Sequence, residues 1–71
     1  MSRAAYQIAR TDRPGSYWVT APDTLTLRAA VRDLAAPVSV ERLPYHMVEP
    51  SDIDYDLPRD EAALRAALAA Q

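Results

Sequence analysis

The sequence has no cysteine, no lysine and no phenylalanine, and it has one glycine and one histidine in 71 residues. Without cysteine, neither a disulfide nor a thiolate metal ligand can support the fold, and a reducing cytosol is the compartment that fits. The lack of lysine excludes a Schiff base, a lysine general base and a P-loop phosphate contact. A single histidine, His46, rules out a zinc site built on two imidazoles and any relay through a second histidine. No stretch approaches the roughly 20 consecutive apolar residues that span a bilayer, and Met1-Ser2-Arg3 opens on no apolar signal core. A soluble, intracellular chain with no membrane span is expected.

What is present is strongly uneven. All eight cationic residues are arginine and fourteen residues are alanine, a bias expected either of a GC-rich coding sequence or of selection for arginine at carboxylate or phosphate contacts. Charge divides near residue 49. Residues 1–48 hold six arginines against Asp12, Asp23, Asp33 and Glu41, a net of +2, whereas residues 49–71 hold six acids against Arg59 and Arg65, a net of −4. The overall charge of −2 therefore conceals a dipole. A concentrated anionic strip is a surface suited to a cationic partner.

A chain of this length buries only about 60% of its unfolded surface, so a single thin-cored domain over residues 1–71 is expected, without a deep, dry active site. Ala4–Arg10 alternates as a half-buried strand, Thr11–Ser16 concentrates turn formers, and Tyr17–Ala21 resumes as a second strand, which predicts an antiparallel hairpin. Asp23 or Thr24 can cap a helix whose Leu27, Ala30, Val31 and Leu34 share one face, and which Pro37 stops. Val38–Leu43 reads as a third strand. Pro58 suits the first turn of a last helix, with Asp60 and Glu61 at the positive end of its dipole and Glu61 four residues before Arg65. Leu64 and Leu68 make a narrow seam on that alanine-rich helix, so propensity and loose docking are expected to hold it. The fold class predicted is α+β, a small antiparallel sheet in ββαβ order with one packed helix and an alanine-rich C-terminal helix.

Asp52-Ile53-Asp54-Tyr55-Asp56-Leu57 alternates acid with apolar residue. If extended, it places three carboxylates on one face, about 6.6 Å apart, and Ile53, Tyr55 and Leu57 on the other. Such a row imitates the charge and repeat of nucleic-acid phosphates; the plainer alternative is a solvated edge strand whose charges deter aggregation. The hexad does not make an EF-hand loop, because positions six and twelve hold Leu57 and Ala63 where glycine and a bidentate acid are required. No second functional group accompanies the acids, so no enzyme and no cofactor is expected. The candidate partner-binding residues are Glu49, Asp52, Asp54, Tyr55, Asp56, Asp60 and Glu61. A rival site for phosphate gathers Arg10, Arg28, Arg32 and Arg42, though the acidic strip would oppose a polyanion and direct nucleic-acid binding is not favoured.

The order of elements, with Ala4-Ala5-Tyr6-Gln7-Ile8, then Tyr17-Trp18-Val19-Thr20-Ala21, then the helix carrying Leu27, Ala30 and Val31, resembles small phage-encoded anti-CRISPR proteins that inhibit type I surveillance complexes. That resemblance implies a non-enzymatic inhibitor in the cytoplasm of a bacterial host cell, a DNA mimic covering the basic nucleic-acid-binding surface of a Cas subunit. Ser16-Tyr17-Trp18-Val19-Thr20-Ala21-Pro22-Asp23, leading through Thr24-Leu25 into a helix, is also similar to HicB-like antitoxins, which neutralise a small RNase. The chain lacks the long loop those proteins place between strand and helix, and their DNA-binding domain.

Overall fold

A computed structural model describes residues 3–71; Met1 and Ser2, where the sequence opens without an apolar run, lie outside them. The elements are β1 (Ala4–Arg10), β2 (Tyr17–Ala21), α1 (Thr24–Val31), β3 (Val38–Leu43), two 3₁₀ turns (Tyr45–Met47 and Pro50–Asp52), β4 (Tyr55–Asp56) and α2 (Glu61–Ala70). The class is α+β, as the patterning predicts.

The predicted hairpin forms with Tyr6 opposite Val19 and Ile8 opposite Tyr17. Gly15 closes it at φ 104°, a left-handed conformation that a side chain would strain. β3 pairs antiparallel with the other edge of β1, with Ile8 opposite Val40 and Ala5 opposite Leu43. The sheet order is β3-β1-β2-β4, and β4 joins β2 in parallel, an addition to the antiparallel sheet expected.

The order explains the path of the chain. β2, β3 and β4 all run antiparallel or parallel to give one common direction, so the connections β2 to β3 and β3 to β4 are both crossovers, made in opposite senses across the sheet. The right-handed preference for crossovers then sends them over opposite faces. The side chains agree. Val19 belongs to the helix-covered core with Leu27, Leu64 and Leu68, while Thr20, next along β2, shares a cleft on the second face with Tyr45 and Val48 of the β3–β4 connection. Ala5, opposite Thr20 on that face, is fully buried.

Asp23 is the cap of α1: its carboxylate accepts the Thr26 N–H at 2.7 Å, and that bond to the charged form draws its pKa below the usual aspartate value. The helix ends at Val31, before the stop that Pro37 predicts. Arg32 and Leu34 donate their N–H groups three residues back, to Ala29 and Val31, which tightens the last turn and releases the chain. Leu34 still packs on the core from beyond the helix.

α2 corrects two expectations. It starts at Glu61, and Pro58 lies in the preceding turn, after a cis Leu57–Pro58 peptide. It is also firmly docked: Leu64 and Leu68 are fully buried with Leu57, Ile8 and Leu27. Arg65 donates to the Ala30 carbonyl at 2.6 Å, capping the end of α1 where the spacing predicts a pair with Glu61. Arg10 donates to the Leu68 carbonyl at 3.0 Å. Two leucines one turn apart suffice because the sheet face and α1 close over both sides of the seam. No helix among the described residues is long and apolar enough to cross a membrane.

Candidate acidic interface on the second face of the sheet

The acidic segment is not the extended row that its alternation suggests. Only Tyr55–Asp56 is strand; Pro50–Asp52 is a 3₁₀ turn and Asp54 lies in a bend. The proline at position 50 starts the turn, because its fixed φ suits the first helical place. Asp52 turns back on its own segment, its N–H donating to the Glu49 carbonyl at 2.9 Å and its carboxylate receiving the Glu49 N–H at 3.4 Å. Asp52 is therefore taken out of the row that a strand would align, while Asp54 and Asp56 both border one cleft.

Three of the acids hold the fold. The Asp54 carboxylate accepts the Trp18 N–H at 2.9 Å, while its own N–H donates to the Trp18 carbonyl at 2.8 Å, so one residue satisfies both backbone groups of a β2 residue at the sheet edge. Asp56 accepts from Thr20 Oγ1 at 2.7 Å and from the Arg3 guanidinium, which also reaches the Leu57 carbonyl. Thr20 is 92% buried, and this is how its hydroxyl is paired. Asp60 accepts the Asp56 N–H at 2.7 Å and both Nε and an Nη of Arg59, at 3.3 and 3.1 Å. The Arg59 contacts, and then the Asp56 N–H, hold its pKa below the usual aspartate value against a smaller opposing effect of burial. Asp60 thus acts backward, on the turn before α2, and makes no side-chain bond to the helix it precedes.

Glu49 and Glu61 are exposed, as are Asp52 and Asp54. Tyr55 is half-buried, and its ring meets Tyr17 edge-on with centroids 5.6 Å apart, so it belongs to the border of the core. Glu49, Asp54 and Tyr55 line a cleft of about 460 Å³ between the crossover and the start of α2, whereas Asp52 and Glu61 are not part of its lining. Its walls carry Glu49, Asp54, Asp56 and Asp60 against Arg3 and Arg59, with Tyr45, Val48 and Ile53 as the apolar part. Both arginines are committed to Asp56 and Asp60, which leaves Glu49 and Asp54 as the carboxylates turned to solvent without a guanidinium. Among the described residues no group of three or more acids or histidines is placed to hold a metal ion.

Sequence reasoning missed the apolar half of this surface. Tyr45 is 48% exposed and Met47 72% exposed, and both belong to the same connection as Glu49 and Asp52. The available signal was a tyrosine and a methionine bracketed by Pro44 and Pro50, a segment that can neither continue β3 nor make a long helix.

Of the arginines predicted as a phosphate site, Arg10 is held apart from the others by its own partners. Arg10 is bound to Asp12 in a two-point pair of 2.9 and 2.8 Å, and its side chain is 12% exposed. Arg28 and Arg32 line a separate groove beside β3. Comparison with family models, with curated proteins and with solved structures gives no match.

Proposed function

We propose that this chain is a non-catalytic, protein-binding inhibitor that sets its β3–β4 crossover against the basic, nucleic-acid-binding surface of a partner, in the manner of the anti-CRISPR proteins its first half resembles. The observation that carries the reading is the company the acids keep: exposed Glu49, Asp52 and Asp54 stand on one connection with exposed Tyr45 and Met47, and Glu61 follows at the start of α2. Aromatic and methionine side chains are enriched at protein interfaces, and carboxylates around them steer a cationic partner and reject an anionic one. The connection is anchored at its far end by Asp54, Asp56 and Asp60, so its order precedes binding and less entropy is lost on association.

The test uses exposed acids outside the anchors Asp54, Asp56 and Asp60; of them only Asp52 makes a local turn bond, to the Glu49 N–H, and asparagine keeps an acceptor for it. Glu49→Gln, Asp52→Asn and Glu61→Gln are combined, and the protein is titrated into a purified type I surveillance complex while target-DNA binding is followed. Association should slow by roughly 10-fold at low salt, with the difference shrinking as salt rises. Tyr45→Ala should instead speed dissociation. Equal inhibition by the parent and both variants at every salt concentration would remove the crossover as the contact surface.

A further inference from the structure

We propose that the open edge of β3, with the groove beside it, takes an extended acid-bearing segment of a partner protein by strand addition, independently of the acidic crossover. The two edges of this sheet are unlike. β4 is two residues long and tied into turns on both sides, whereas β3 offers six residues, with no bulge or proline, and has β1 on one side only. No turn, loop or cap bond among the described residues uses the backbone of Val38–Leu43 on its outer side. An unpaired row of this length is a template for another extended chain.

The groove next to it defines what that chain carries. It has a volume of about 610 Å³ and lies between α1 and β3, with Leu34, Val38 and Val40 on its floor and Leu25, Arg28 and Arg32 along its rim. Leu25 is 79% exposed. Val38, Val40 and Arg42 share the helix-covered face of the strand, since Val40 lies opposite the core residue Ile8. A chain pairing antiparallel with β3 would therefore set an acid opposite Arg42 and apolar side chains opposite Val40 and Val38, beneath the helix rim. Arg28 has no ion-pair partner among the described residues, and Arg32 only reaches its neighbour Asp33 at 3.9 Å, with both of those side chains largely exposed. These guanidinium groups are available to carboxylates flanking the apolar residues. A second copy of this chain is the poorer occupant, because pairing β3 with itself would bring Arg28, Arg32 and Arg42 of both copies along one seam.

The probe is the peptide Thr-Glu-Thr-Val-Thr-Val-Thr, titrated while backbone amide and methyl resonances are recorded. Saturable shifts should appear at Val38–Leu43 and at the Leu25, Val38 and Val40 methyls. A peptide with lysine in place of glutamate should bind roughly 10-fold more weakly, and Arg42→Glu should abolish that preference. The combined Glu49→Gln, Asp52→Asn, Glu61→Gln variant should bind the peptide as the parent does, which separates this edge from the crossover. Absence of saturable shifts at β3, shifts centred on β4, or a concentration-dependent dimer whose interface is β3 would each overturn the proposal.

Discussion

The halves of this molecule reach order by different routes. Between Ala4 and Leu43, each strand finds its partner through a regular ladder around β1, and the one helix is capped by the aspartate immediately before it. Between Pro44 and Asp60 only two residues join a ladder, and the order comes from carboxylates that act as acceptors for groups distant in sequence: Asp54 for Trp18, Asp56 for Thr20 and Arg3. The first half spends its polar side chains sparingly because its backbone bonds to itself. The second half has little regular backbone bonding, so its side chains supply what strands and helices supply elsewhere.

The largest separation should come from the seam that joins the halves. Leu64→Ala removes a fully buried side chain between the sheet and α1, and by the usual range for core leucines should cost about 2–5 kcal/mol in denaturant unfolding. A loss well below this range would mean that α2 is held by its alanine propensity. Next is Asp56→Asn, which keeps the shape but weakens the bonds from Thr20 and Arg3; about 1–2 kcal/mol is expected, with Gln7, Ile8 and the hairpin still protected from hydrogen exchange while Leu57 and Leu64 lose protection first. Equal loss of protection across both halves would show that they unfold as one unit.

The smallest effect is acid dependence. Asp60 and Asp23 both have folded-state pKa values below the ordinary aspartate range, Asp60 through Arg59 and the Asp56 N–H, and Asp23 through the Thr26 N–H. A depressed carboxylate pKa stabilises the fold above the unfolded value, near about 3.9, and that contribution disappears as pH falls through the lower folded value. The urea midpoint should therefore be flat around neutrality and fall in acid. Asp60→Asn should reduce the acid limb for unfolding of the second half, and Asp23→Asn that of the first, where Asp12, lowered by its bonds from Arg10, keeps part of the limb; interchanged results would break the division between them.

The contrast also explains what could be read in advance. β1, β2 and β3 were legible residue by residue, since alternation, a cluster of turn formers and a proline mark their ends locally. The cap of α1 was legible to within two residues, Asp23 or Thr24, and the structure places it at Asp23. The hexad from Asp52 to Leu57 misled, because alternation reports which side chains can share a face and not whether a neighbouring strand is there to pair. Its acids are needed singly, Asp52 by the Glu49 N–H, Asp54 by Trp18, and Asp56 by Thr20 and Arg3. Replacing Asp52, Asp54 and Asp56 together would weaken two of the anchors, Asp54 and Asp56, along with any binding.

By itself, the sequence determined the α+β class, the hairpin and its following helix and strand, the division of charge at residue 49, and the exclusion of chemistry that needs cysteine, lysine or a histidine pair. Those properties depend on residue type and near-neighbour spacing. Tertiary structure alone decided that β4 lies parallel at the far edge, that the Leu64–Leu68 seam of α2 is fully buried, and that Glu49, Asp52 and Asp54 stand exposed on one connection with Tyr45 and Met47 while Asp56 and Asp60 bond back to the fold. The reason is the crossover: it must carry the chain from one edge of the sheet to the other over the face that α1 leaves open, and which side chains it exposes depends on the contacts made at its landing.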